Sequence, residues 1–198
     1  MEDRKVILKI EHLCKDFDIK AKSFTGKALK LHALSDISLD IYEGETLGII
    51  GESGCGKSTL GRCLVNLHPI TSGKLVYDGK ELNRLRKKER QALSREIQMV
   101  FQDPYSSLDP RHTAADSVEE PMIVHKTPAT ARERQERTIG LFKEVGLDMQ
   151  HLNRYPHEFS GGQRQRLNIA RAIASNPRVV ICDEPVSACL LYTSDAAD

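Results

Sequence analysis

The sequence predicts an α/β fold: a mixed, mainly parallel sheet flanked by helices, an antiparallel β part, and a small helical subdomain. Three observations carry this. Short apolar runs of strand character alternate with segments of helical period. One stretch, residues 45–67, reads strand, glycine-rich turn and helix in immediate succession. Between Gln102 and Ser160 the strand pattern gives way to helical segments, so residues of about 104–160 form an insertion.

Taken in order, residues 6–13 (VILKIEHL) read as a first strand, with Phe17 following in CKDF. Residues 18–30 are polar, lysine-rich and without period, which suits a loop. Residues 31–41 alternate apolar and polar at Ile37, Leu39 and Ile41, the pattern of a half-buried strand. Glu43 and Gly44 turn the chain into residues 45–50 (ETLGII), a short apolar run that suits a buried strand. Residues 58–67 carry apolar positions at helical spacing, and residues 69–73 break that helix. Residues 74–77 form a short strand turned by Asp78-Gly79.

Residues 84–95 are densely charged, but acidic residues are interspersed among the basic ones. A solvated helix explains that run better than a nucleic-acid patch. Residues 97–101 (IQMVF) read as a buried strand that delivers Gln102 into the Pro- and Ser-rich loop DPYSSLDPR. Thr127-Pro128 marks a helix start, and residues 131–145 form a helix stopped by Gly146. Residues 160–176 begin with a Ser-Gly-Gly turn and continue as a helix with Leu167, Ile169, Ala170, Ile173 and Ala174 on its apolar side. Asn176-Pro177 ends it. Residues 179–182 read as a buried strand ending in Asp183-Glu184.

The chain has 198 residues, enough for one domain with a real core. Its 29 basic and 28 acidic residues leave a formal net charge of +1, so nothing argues for bulk electrostatic attraction to nucleic acid. No apolar run approaches the ~20 residues of a membrane span, and the charged N-terminus does not read as a secretion signal. The cysteines at 14, 55, 63, 182 and 189 show no C-x-x-C pairing, which fits free thiols in a reducing, cytosolic compartment. His112 and His125 have no partner at a metal-binding spacing, and His157 reads as a local packing or capping residue.

Residues 51–59 (GESGCGKST) match the phosphate-loop pattern G-x-x-x-x-G-K-[ST] at Gly51, Gly56, Lys57 and Ser58. A triphosphate needs many donors converging on its oxygens. The backbone N–H groups of Gly51, Glu52, Ser53, Gly54, Cys55 and Gly56 can supply them where no side chain blocks the approach, and the three glycines can take positive φ. The helix that follows adds its N-terminal N–H groups and dipole. Lys57 is suited to reach the β- and γ-phosphates, Ser58 to ligate Mg²⁺, and Thr59 to reach the α-phosphate. The strand ending in Asp183-Glu184, expected beside the phosphate-loop strand, projects two carboxylates toward a nucleotide. Asp183 suits a Mg²⁺ ligand and Glu184 a general base for water. Gln102, at another strand end, can touch the metal or the water.

Residues 159–166 (FSGGQRQR) resemble the signature of ABC-type ATPases, and the order phosphate loop, Gln102, SGGQ, Asp183-Glu184 is that family's order. The resemblance spans residues 6–188 and implies a P-loop NTPase, RecA-like core with an α-helical signature subdomain. It implies two such domains sandwiching two ATP molecules with Mg²⁺. Each nucleotide would lie between one phosphate loop and the Ser160, Gly161, Gly162 and Gln163 turn of the other domain. The same turn is also an ordinary helix cap, since Ser caps well. Phe17 matches the family aromatic that stacks on adenine, with a core aromatic as the competing reading.

FQDPYSSLDPR, RYPHEFSGGQRQR, DEPVSA and the loop between Phe17 and His32 resemble the ATP-binding subunits of oligopeptide and dipeptide importers. Such subunits sit on the cytoplasmic face of the plasma membrane as peripheral proteins. They lie under two membrane-spanning permease subunits, paired with a homologous ATPase and served by an extracellular solute-binding protein. Import of nickel or another small solute is the alternative within this class. A soluble ABC ATPase of translation or DNA repair, or a nucleotide sensor without turnover, lies outside it. After Ser187-Ala188 the family has Leu-Asp where this chain has Cys189-Leu190, and CLLYTSDAAD reads as a translated sequencing adapter. Residues 1–188 are therefore expected to be a partial ABC ATPase domain, incomplete at the C-terminus, and residues 189–198 an artefactual tail. This chain alone is expected to bind nucleotide weakly and to hydrolyse it negligibly.

Overall fold

The computed structural model describes residues 4–19, 29–128 and 130–184. The chain divides after Arg90 into two compact units. The first holds β1 (Val6–Ile19), β2 (Leu29–Tyr42), α1 (Lys57–Leu64), β3 (Ser72–Tyr77) and β4 (Lys80–Glu81). The four strands form an antiparallel sheet in the order β2-β1-β3-β4. β1 runs longer than its apolar pattern foretold. Its polar end stays extended because β2 pairs with it as far as Phe17↔Leu31 and Ile19↔Leu29, and ladder bonds override a weak local propensity. Asp78 (φ 45°) and Gly79 (φ 78°) both lie in the left-handed region between β3 and β4, matching the twist of a tight hairpin. Leu8, Ile10, Leu13 and Leu75 from the sheet, and Leu60 and Leu64 from α1, are among the buried residues of this unit.

Residues 45–50 overturn an expectation. They form no strand, and Leu47, Ile49 and Ile50 are exposed, Ile50 by 99%. A short apolar run becomes a strand only when a neighbour satisfies its backbone groups and covers its side chains. No ladder pairs with these residues among those described.

The second unit contains a parallel pair, β5 (Ile97–Val100) and β6 (Val179–Cys182), in register Ile97↔Val179 to Val100↔Cys182. The partner of β6 is thus β5, not residues 45–50. β6 is also less buried than its four apolar residues suggested: Val179 and Ile181 are half-buried, Val180 and Cys182 exposed. With a ladder partner on one side, alternate side chains find cover and the others do not. Ahead of β5, α2 (Lys87–Glu96) carries the charged run on a largely exposed surface.

α3 (Ala114–His125), α4 (Ala131–Glu144) and α5 (Gly161–Ile173) share one core, in which Val118, Met122, Leu141, Phe142, Leu147, Phe159 and Leu167 are buried. Each helix opens on a capping box: Thr113 with Asp116, Thr130 with Glu133, and Ser160 with Gln163. The start of α4 is therefore at Thr130 rather than Thr127-Pro128. Thr130 accepts the Glu133 N–H while Glu133 accepts the Thr130 N–H, an exchange Thr127 cannot make because the residue three further on is Thr130, which has no carboxylate to return the bond.

Candidate nucleotide site and family

The phosphate loop leads directly into α1. Gly56 has φ 101° and caps the helix with its backbone, its carbonyl accepting the Leu60 N–H at 2.9 Å. A Cβ there would lie 2.6 Å from the Ala33 carbonyl oxygen and 2.9 Å from Leu34 Cδ2, so only glycine fits. Gly54 is also left-handed, at φ 80°. Gly51 is not, contrary to expectation; what favours glycine there is the Cys55 Sγ, which a Cβ would meet at 2.7 Å. Glu52, Ser53, Gly54 and Cys55 are exposed, while Lys57, Ser58 and Thr59 are half-buried in the first turn of α1. Lys57 Nζ donates to the carbonyls of Gly51 and Glu52, 2.7 Å each. The ammonium thus lies across the loop it belongs to. No acidic residue stands in the first turn of α1 to oppose an anion.

At the other candidate region, β5 and β6 bring three predicted residues together. The Asp183 N–H donates to the Val100 carbonyl at 2.9 Å, extending the parallel pairing by one bond. Gln102 Nε2 donates to Glu184 Oε2 at 2.6 Å. Asp183 is buried, Glu184 exposed. Glu184 has φ 47°, a left-handed backbone that bends the chain sharply at the strand end, at a cost of about 1–2 kcal/mol for an L-residue. One N–H of the Gln102 amide thus points at Glu184, and its carbonyl oxygen is the atom suited to a cation. Within this unit, the oxygens of Asp183 and Gln102 are of the hard kind that Mg²⁺ favours.

The signature turn opens α5. Ser160 Oγ accepts the Gln163 N–H at 3.3 Å, and Gln163 Oε1 accepts the Ser160 N–H at 2.9 Å. A Cβ at Gly161 would meet nothing within 4 Å, so no neighbour among the described residues requires glycine there. Tyr155 and His157 stack with ring centroids 5.9 Å apart, the local packing expected of His157.

Sequence reasoning missed how the loop after Gln102 is held. Asp103 Oδ1 accepts the Tyr105 N–H at 2.9 Å, and the Ser107 hydroxyl donates to the Asp103 carbonyl at 2.8 Å. From α5, Asn168 donates to the Pro104 carbonyl at 3.1 Å. Arg171 donates to the Ser107 carbonyl and to Glu120 Oε2, both at 2.8 Å. The available signal was the i, i+3 spacing of Asn168 and Arg171 on a helix that also buries Leu167, Ala170 and Ala172. Phe17, by contrast, is neither fully buried nor freely exposed: its ring stands 5.4 Å from that of His68, with Lys15 Nζ 4.6 Å from its centroid.

With this geometry in hand, the sequence profile of the ABC transporter family matches residues 34–187. The chain belongs to the ABC transporter family. It is 47% identical over 183 residues to the oligopeptide transport ATP-binding protein OppF of Bacillus subtilis (strain 168), covering 92% of this chain and 58% of that protein. It is 47% identical over 182 residues to the glutathione import ATP-binding protein GsiA of Pectobacterium atrosepticum, covering 92% of this chain and 29% of the relative. This ABC chain thus spans little more than half of the first relative and less than a third of the second. Among solved structures it is similar to the ADP- and Pi-bound dimeric post-hydrolysis state of the ATP-binding cassette MJ0796. That match has TM-score 0.82 and 33% identity, and covers 92% of this chain and 75% of the other. It is also similar to cbiO1 of Clostridium perfringens, part of the ABC transporter complex cbiONQ, with TM-score 0.72 and 30% identity, covering 93% of this chain and 67% of that one. The fold is that of an ABC ATPase cassette.

Proposed function

We propose that this chain is the nucleotide-binding part of a subunit that binds and hydrolyses ATP to power peptide import by an ABC transporter. The observation that carries the hydrolytic half of this reading is the Gln102–Glu184 contact. It holds an exposed carboxylate at a strand end next to the buried Asp183, in a chain that also carries a complete phosphate loop. In this reading the amides of residues 51–56 and the Lys57 ammonium bind the phosphates, Lys57 leaving the Gly51 and Glu52 carbonyls to do so. Ser58 and Asp183 hold Mg²⁺, which when bound offsets phosphate charge. Glu184 orients and deprotonates the attacking water, and Gln102 keeps that carboxylate in place. Ser160, Gly161, Gly162 and Gln163 serve a nucleotide held by a second ABC ATPase, the N-terminus of α5 facing its γ-phosphate.

Peptide as the cargo rests on the names of the oligopeptide and glutathione import relatives. The partners are a homologous ATPase, two membrane-spanning permease subunits and, indirectly, a solute-binding protein. The location is the cytoplasmic face of the plasma membrane. Among the described residues no helix is long and apolar enough to cross a membrane, which suits a peripheral subunit. Among the described residues no strand pairs with the exposed residues 46–50 behind the phosphate loop, so the 198-residue chain alone is expected to turn ATP over negligibly. The test is Glu184→Gln in the intact transporter. ATP should still bind while phosphate release falls by about 10²-fold or more; unchanged turnover refutes the role of Glu184.

A further inference from the structure

Lys15 is a buried lysine, only 9% exposed, on a strand where its neighbour Phe17 keeps part of its ring in solvent. Burying an ammonium is costly unless it is paired, and the structure shows how this one is held. Nζ donates to the Pro69 carbonyl at 2.8 Å and stands 4.6 Å from the centroid of the Phe17 ring. His68 approaches the same ring nearly perpendicularly, at 5.4 Å and 85°. Two more bonds tie this piece of β1 to the segment that follows α1: the Thr71 N–H to the Cys14 carbonyl at 2.8 Å, and the Asp16 N–H to Thr71 Oγ1 at 2.8 Å. The segment beyond the C-terminal end of α1 therefore braces residues 14–17, while the N-terminal end begins at the phosphate loop.

The ladder places Phe17 near that loop. Gly56 approaches the Ala33 carbonyl and Leu34. Leu34 pairs with Lys15, and Leu31 pairs with Phe17. Two to three residues along β2 thus separate the loop from the ring, roughly 7–10 Å at the rise of a strand. A nucleotide gripped by its phosphates at residues 51–59 would carry its base toward Phe17.

We propose that Lys15 is a positioning residue for base recognition: its ammonium, fixed by the Pro69 carbonyl, holds one side of the Phe17 ring so that the exposed part of the ring receives the nucleobase. This rests on the proposed phosphate-loop reading. Lys15 touches no phosphate in this scheme and takes no part in hydrolysis.

The test compares ATP with inorganic tripolyphosphate, which has the phosphates and no base. Binding of each is measured by equilibrium dialysis on the 198-residue chain, its Lys15→Met and Lys15→Arg variants, and Phe17→Leu. Lys15→Met is expected to weaken ATP about tenfold, the scale of a desolvated cation–π contact, and to leave tripolyphosphate unchanged. Lys15→Arg should restore most of the loss, and Lys15→Met should add little on top of Phe17→Leu. Equal losses for both ligands would show a merely structural lysine and overturn the proposal. So would tripolyphosphate binding as tightly as ATP to the unaltered chain, which leaves the phosphate reading standing. If neither ligand binds the unaltered chain, the phosphate-loop reading falls and this proposal with it.

Discussion

Gln165 lies on α5 within six residues of Ser160, 1% exposed, and neither its Nε2 nor its Oε1 has a partner among the described residues. A buried amide without a bond costs about 1–3 kcal/mol. Gln165→Met, of similar volume, should therefore raise stability by about 1 kcal/mol, seen as a rise in Tm of about 2–4 °C by thermal denaturation. A fall in Tm would mean the amide has a use the fold does not reveal. At this same scale, the sequence was most legible where chemistry restricts residue type. Gly56 could be placed from spacing alone, because its left-handed backbone and the nearby Ala33 carbonyl leave no room for a Cβ. Lys15 and His68 could not, because they meet a backbone carbonyl and a ring far away in the sequence and leave no pattern in a linear chain.

Among the elements, helix starts were legible only to within a turn. Among the described residues, three of the five α-helices begin where a hydroxyl and a side chain three residues on each accept the other residue's backbone N–H, and at α4 that pair outcompeted the Pro128 signal. Ser160→Ala removes the acceptor for the Gln163 N–H and should cost about 1 kcal/mol of stability. If the turn also faces a nucleotide on a partner, ATP turnover in the intact transporter should fall further than that loss of stability explains. Equal effects on Tm and turnover would reduce Ser160 to a cap.

The α3 box also carries a pH dependence. Asp116 accepts from the Thr113 hydroxyl and N–H, and these bonds lower its pKa below the ordinary 3.8. A depressed carboxylate stabilises the fold above its unfolded value and loses that contribution as pH falls through the folded value. Thermal scans from about pH 5 downward should therefore show Asp116→Asn less sensitive to acid than the parent chain. An identical acid slope in both would contradict this.

For the whole molecule, the alternation of strands and helices announced an α/β chain, and the helical stretch after Gln102 was plain from its period. What could not be read was which strands pair. Residues 45–50 and 179–182 look alike as apolar runs. Yet among the described residues only the second has a ladder partner, β5, because burial of a strand depends on neighbours distant in sequence rather than on its own composition. The helical core of α3, α4 and α5 should be robust by comparison: Phe142 is fully buried there, and Phe142→Ala should cost about 3–5 kcal/mol, measured by urea denaturation. A cost below about 1 kcal/mol would mean that this core is not formed as described.

The central claim is that residues 51–59 grip the phosphates of a nucleotide. Equilibrium dialysis of ATP against the parent chain and Lys57→Ala tests it most directly. Loss of one charge-assisted contact should weaken ATP by about ten- to a hundredfold, with thermal stability unchanged because Lys57 bonds groups of its own exposed loop. Equal affinity of the two chains for ATP would contradict the account.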